Sequence, residues 1–271
     1  MKSILTTIIL ALTFSSAFAL KPSKTYTMKP DTLQMPYETN IVKVNDSVKL
    51  QSWTFLPNDV DNKKTTIILA YADAGNMSSW LMQGSLMAQV GFTVVMFDYR
   101  GFGASSDFKI DSKMLYYNQF ADDLTAMFQF ARKKYPDNKK TGVWAFSMGT
   151  IATTLAYEKS KPDFIIGDGY VVSPKKIKQF YEGKRDPILL PADADKYEEK
   201  LKNVKANMLV FSGSDDKVTP YEDVMVIKGN NAKNKIIQFK GGHMAGFSVL
   251  GGDYPGQKYM DAVVDFLKKT K

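Results

Sequence analysis

Short apolar runs alternate with longer amphipathic stretches along most of this chain. Residues 38–56 alternate polar and apolar positions on either side of Asn45-Asp46-Ser47, which predicts an antiparallel hairpin. Further on, the runs Thr66 to Ala70, Thr93 to Phe97, Gly142 to Phe146, Asp168 to Val172 and Met208 to Phe211 carry few polar interruptions. Parallel strands covered on both faces have that character. Ile236 to Phe239 reads as a last strand. Between the runs lie helical patterns at about 77–90, 117–135, 148–159, 221–228 and 257–269. In the second of these, Phe120, Leu124, Met127, Phe128 and Ala131 recur at the spacing of one helix face. A hairpin followed by repeated strand–helix units predicts an α/β domain whose mostly parallel sheet has an antiparallel N-terminal edge and helices on both faces. Residues 174–206 break the rhythm and read as a small cap insertion, with a charged helix around Tyr197–Lys202. A polar leader, residues 20–37, precedes the domain proper at 38–271.

The first 19 residues have a different origin. Lys2 begins a short charged region, Ile4 to Leu12 is apolar, and Ala17-Phe18-Ala19 is a small-x-small cleavage site. The apolar run is interrupted by threonines and serines and falls short of the roughly 20 residues a membrane span needs. The expectation is a signal peptide cleaved after Ala19. The mature protein is then exported, periplasmic or secreted, with no transmembrane helix.

Composition removes several chemistries. The chain of 271 residues is 44% hydrophobic and contains no cysteine and one histidine, His243. A thiol nucleophile and thiolate or histidine-rich metal sites are excluded, and no cofactor or metal is expected. The formal charge of +8 comes mainly from lysine, since Arg100, Arg132 and Arg185 are the only arginines. The lysines lie in short scattered groups such as Lys63-Lys64 and Lys139-Lys140. That is the pattern of solvated faces, not of a nucleic-acid groove, so the expected partner is a small-molecule substrate, with weak attraction to anionic surfaces.

The candidate chemistry lies in four loops that follow strands. Ala145-Phe146-Ser147-Met148-Gly149 joins a strand to a helix, the setting of a serine nucleophile on a sharp elbow. Small residues two before and two after the serine let strand and helix approach. A serine nucleophile needs a base, and His243, in a glycine-rich loop after the last strand, is the one imidazole on offer. Between them, Gly213-Ser214-Asp215-Asp216 supplies two adjacent carboxylates, either of which can orient His243. An oxyanion needs preorganised N–H donors. Met148, at the start of a helix, is one candidate, and the loop Tyr71-Ala72-Asp73-Ala74-Gly75-Asn76 supplies the other at Asp73.

With these residues in order, the chain resembles the α/β-hydrolase superfamily over about residues 38–271, in particular its serine aminopeptidase-like, HGNAGN-type branch. Asp98-Tyr99-Arg100-Gly101-Phe102-Gly103-Ala104-Ser105 is similar to that branch's D-Y-R-G-[FY]-G-x-S segment, whose implied role is to shape the floor of the site. Gly213, Asp216, Val218 and Pro220 fit its G-x-x-D-x-[VI]-x-P pattern. That register implies Asp216, not Asp215, as the acid. The resemblance implies an α/β-hydrolase fold and a triad of Ser147, Asp216 and His243. The implied activity is acyl-bond hydrolysis, with a carboxylic ester as the default and thioester or peptide bonds next.

Two departures stand out. The family's H-G-N-A-G-N loop reads Tyr71-Ala72-Asp73-Ala74-Gly75-Asn76 here, and its first elbow glycine is Ala145. A carboxylate at Asp73 repels an oxyanion unless it turns away. The altered loop supports the rival expectation of a binding protein on a decayed hydrolase fold; the retained serine, aspartate and histidine oppose it.

Overall fold

A computed structural model describes residues 19–184 and 186–270, so the expected signal peptide lies almost wholly outside the described residues. The strands are β1 (Lys21–Pro22), β2 (Tyr37–Lys43), β3 (Lys49–Phe55), β4 (Thr65–Ala70), β5 (Ala74–Gly75), β6 (Thr93–Phe97), β7 (Lys140–Phe146), β8 (Phe164–Asp168), β9 (Asn207–Gly213) and β10 (Lys235–Phe239). The helices are α1 (Leu81–Gln89), α2 (Gln119–Lys134), α3 (Met148–Ser160), α4 (Pro174–Tyr181), α5 (Tyr197–Lys202), α6 (Tyr221–Val224), α7 (Val226–Asn230), α8 (Gly246–Val249) and α9 (Gln257–Lys269).

Among the described residues the main sheet has eight strands in the order β10-β9-β8-β7-β4-β6-β3-β2. The hairpin β2–β3 pairs along its whole length, Tyr37 opposite Phe55 through Lys43 opposite Lys49, and β3 joins β6 antiparallel. From β6 to β10 every pairing is parallel. Every residue of β4, β6 and β8 is buried, which is why those strands read as unbroken apolar runs. The apolar stripe of α2 is buried as its spacing predicted, with Phe120, Leu124, Met127, Phe128 and Ala131 inside.

One expected strand is misplaced. The run predicted at Asp168–Val172 pairs instead over Phe164–Asp168. Gly169 takes φ +66°, a left-handed conformation that ends the strand. Tyr170 and Val171 stay buried because their backbone and hydroxyl groups dock on α3: Val171 N–H donates to Thr150 Oγ1 at 2.9 Å, and the Tyr170 and Thr154 hydroxyls are 2.9 Å apart. Burial without a sheet imitates a strand in sequence. The helix expected at 221–228 is likewise split at Met225 into α6 and α7.

The insertion at 174–206 contains α4, α5 and a short 3-10 turn. Its ties to the body include two sets of hydrogen bonds. Tyr197 donates its hydroxyl to Val171 O at 2.7 Å, and Leu189 pairs with the 113–115 segment through Leu115 N–H to Leu189 O and Leu189 N–H to Lys113 O. The leader is no loose tail. Ala19 and Leu20 are buried, their N–H groups both reaching Ser112 O, and β1 adds a parallel pair to β5, directly after the strand that ends at Ala70.

Candidate active site

The elbow forms where β7 turns into α3. Ser147 sits between them at φ +46° and ψ −113°, a strained conformation for a residue with a side chain. The turn requires that α3 start almost on top of β4. A Cβ on Gly149 would fall 1.9 Å from Ala70 O and 2.8 Å from Tyr71 O, so glycine there is a steric necessity. Ala145, where the family has glycine, is fully buried and pairs between Ala70 and Gly167, two small neighbours that leave room for its methyl group.

Three residues separated by up to 96 positions meet at this elbow. His243 Nε2 lies 2.9 Å from Ser147 Oγ, and His243 Nδ1 lies 2.9 Å from Asp216 Oδ2. The Asp216 side chain is 1% exposed and that of His243 19%, so the line runs from a buried acid to a half-buried serine. The Asp216 carboxylate is well supplied with donors. Oδ1 accepts from Val218 N–H at 2.8 Å and Thr219 N–H at 2.9 Å, and Oδ2 accepts from the Thr219 hydroxyl at 2.6 Å. Burial alone disfavours its charge. The hydrogen bond from His243, the attraction of that imidazole and the Thr219 donors outweigh burial and hold Asp216 below the usual carboxylate range. Asp215 points elsewhere, toward Lys240 Nζ at 3.1 Å. The choice of Asp216 over Asp215, which the family register alone had made, thus has a geometric reason.

Thr219 was not singled out in the sequence. Its hydroxyl also lies 3.2 Å from His243 Nδ1, so it braces both members of the pair. Its position three residues after an aspartate, where a hydroxyl can return to the carboxylate, was the available signal.

The candidate oxyanion residues sit on adjacent loops, because β4 and β7 are neighbours. Met148 is the first residue of α3, and Asp73 lies between β4 and β5. The segment 19–27 runs along the second loop and fixes its backbone. Lys21 N–H donates to Asp73 O at 2.9 Å and Ser23 N–H to Gly75 O at 2.8 Å. Asn76 donates its side-chain amide to Ser23 O at 3.1 Å and Thr25 O at 2.8 Å, while its Oδ1 caps the 3-10 turn at Ser78 N–H. Under the loop, Asp98 gathers three donors: Met77 N–H at 2.8 Å, the Tyr71 hydroxyl at 3.1 Å and the Tyr26 hydroxyl at 2.6 Å. Tyr71, the residue that replaces the family's histidine, is buried against Tyr99 and Phe102, so the substitution leaves a packed floor and no gap. The Asp98–Ser105 segment forms that floor, as the resemblance implied. Arg100 contributes a buried ion pair to Asp123, with Nη2 2.6 Å from Oδ1.

Phe146 and Met148, on either side of Ser147, are core side chains, both buried, with the Phe146 ring 4.3 Å from that of Trp80. Phe180 and Tyr181, on α4, are half-buried and stack edge to face at 4.8 Å.

Known proteins share this fold at low identity. Residues 76–174 match the family described as serine aminopeptidase, S33. The esterase Pf2001 of Pyrococcus furiosus superposes with a TM-score of 0.71 at 19% identity, covering 93% of this chain and 99% of that one. The chain has the α/β-hydrolase fold. XC6422 from Xanthomonas campestris, described as an α/β serine hydrolase without lid, superposes with a TM-score of 0.59 at 17% identity over 86% of this chain and 94% of its own. In sequence, the uncharacterized protein YfhR of Escherichia coli (strain K12) is 25% identical over 248 residues, 82% of this chain and 77% of its own. Among the described residues no helix is long and apolar enough to cross a membrane.

Proposed function

We propose that this α/β-hydrolase is an exported serine esterase working through an acyl-enzyme. The observation that carries the proposal is the unbroken line Ser147 Oγ–His243 Nε2 and His243 Nδ1–Asp216 Oδ2, each 2.9 Å, ending on a serine held in a strained turn. Ser147 Oγ attacks the ester carbonyl carbon while His243 Nε2 takes the hydroxyl proton. Asp216 accepts the Nδ1–H, fixes the tautomer and stabilises the imidazolium. The oxyanion is held by the N–H groups of Met148 and Asp73. Collapse of the tetrahedral intermediate breaks the carbon–oxygen bond, and His243 returns the proton to the leaving alcohol. Water, deprotonated by His243, then releases the acid and restores Ser147.

The segment 174–206 acts as a small cap over this site. Export follows from the N-terminal pattern: cleavage after Ala19 leaves Leu20 as first residue, with its nitrogen 3.0 Å from Ser112 O. Intact mass of the exported protein should correspond to a chain starting at Leu20; a mass that retains Met1 removes this part of the proposal.

The deciding experiment is labelling with a fluorophosphonate probe. Wild type should be labelled and Ser147→Ala should not; equal labelling of both, or of neither, overturns the triad. A second specificity, for amide bonds, is favoured by the match of residues 76–174 to a family described as aminopeptidase. Rates on a short-chain aryl ester and on aminoacyl anilides separate the two.

A further inference from the structure

Asp168 is the last residue of β8, in register between Phe146 of β7 and Phe211 of β9. Its backbone serves the elbow, because Ser147 N–H donates to Asp168 O at 3.2 Å. Its side chain has no such evident use. It is fully buried, and neither carboxyl oxygen makes a hydrogen bond of ordinary geometry among the described residues. The surroundings are mostly apolar. Phe211 stacks on Tyr259 with ring centroids 3.7 Å apart, and Phe247 lies 5.7 Å from the same tyrosine ring. The Tyr259 hydroxyl accepts from Trp144 Nε1. Gly246 lies close enough that a Cβ there would fall 2.5 Å from Asp168 Oδ2.

A leucine would fill such a box without stranding a carboxyl. What distinguishes the place is its neighbour. Gly169 lies flat against the imidazole, with its hypothetical Cβ 2.7 Å from His243 Cε1 and 3.0 Å from Nδ1. Asp168 is therefore lodged directly beneath the loop that carries the base.

We propose that Asp168 is a second carboxyl acting on His243, a positioning residue that sets the charge balance of the imidazole through space while Asp216 holds it by a hydrogen bond. The proposal rests on the hydrolase chemistry described above. Burial pushes the Asp168 carboxyl up to about 7; the attraction of His243 and the N–H groups of Gly246 and Phe247 pull it down, and Asp216 pushes it up. The titratable groups facing it are thus His243 from the loop after β10, Asp216 from the loop after β9 and Tyr259 from α9. Its own charge changes near neutral pH. Ionised, it stabilises the imidazolium that forms when Ser147 is deprotonated; neutral, it does not. No proton passes from Asp168 to substrate; the transferred proton stays with His243.

The test uses the full mature chain and two readouts. On a short-chain aryl ester, the ratio of kcat for wild type to kcat for Asp168→Asn should grow roughly tenfold between about pH 5.5 and about pH 8.5, with its midpoint near 7. A ratio that is flat with pH means that Asp168 is merely structural and overturns the proposal. The second readout needs no catalysis. With carboxyl-13C aspartate, the Asp168 resonance should titrate near 7 in wild type and at a pH higher by roughly one unit in His243→Gln, where the attraction is lost. Titration that is unmoved by His243→Gln overturns the coupling even in an enzyme that hydrolyses no ester. Conversely, coupling in a protein that no fluorophosphonate labels would sink the esterase and leave the Asp168–His243 pair standing.

Discussion

The Tyr26 hydroxyl donates to Asp98 Oδ2 at 2.6 Å, joining the N-terminal leader to the carboxylate on which the loop after β4 rests. The Tyr26 hydroxyl oxygen in turn accepts from Ala104 N–H at 3.0 Å, and the Tyr26 ring lies 4.7 Å from that of Trp53. Burial raises the Asp98 carboxyl above its ordinary range, against the opposing hydrogen bonds from Tyr26, Met77 and Tyr71. Tyr26→Phe keeps the ring contact, removes one of those donors and leaves Ala104 N–H without its acceptor. The expected loss is about 2 kcal/mol in urea unfolding. If the leader also positions the Asp73 N–H, kcat on an aryl ester should fall several-fold with KM little changed. A fall in stability with kcat intact would reduce the leader to a staple.

Asp216 and Asp215 offer a sharper contrast. Asp216 accepts four hydrogen bonds, one of them from the imidazole; Asp215 pairs with an exposed lysine, a contact worth under about 1 kcal/mol. Asp216→Asn should lower kcat by up to about 10⁴-fold, because an amide favours the wrong tautomer of His243. Asp215→Asn should stay within a few-fold of wild type. Steady-state rates on one ester decide it, and the reverse order would displace Asp216 as the acid.

Much of this site was legible in the residues because its parts sit at strand ends, where an apolar run stops and glycine or a small polar residue begins. Ser147, Asp216 and His243 all lie in such places, and a single histidine left no competitor for the base. The sheet was legible for a related reason: β4, β6 and β7 are buried on both faces, and their runs have nothing to interrupt them. The failures came where burial and pairing part company. Tyr170 and Val171 are as buried as strand residues yet bond to α3, so the apolar run continues past the end of the strand. The leader left no periodic trace, because its two-residue strand and its contacts to Asn76 and Ser78 are mostly backbone hydrogen bonds, which any sequence can make. Asp168 was hidden differently: an aspartate within an apolar stretch looks like a strand terminus, and only the fold shows that the base loop lies across it.

That buried carboxyl should leave a mark on stability with a definite sign. An aspartate in the unfolded chain ionises near 3.9, and Asp168 in the fold near 7. Its folded value is raised, so the folded state holds the extra proton between those limits. Stability from this group is fully present below about pH 4, declines as pH rises through the window, and is lost above about pH 7. Three pH units correspond to roughly 4 kcal/mol, an upper figure for a group whose surroundings can relax. Asp168→Asn carries no such proton. Relative to wild type, its unfolding free energy should therefore improve by a few kcal/mol between about pH 4 and about pH 8 in urea titrations. The two proteins should run parallel if Asp168 is ionised throughout that range. A variant that is more stable at alkaline pH and slower on its ester would explain why the chain keeps a carboxyl where packing asks for none.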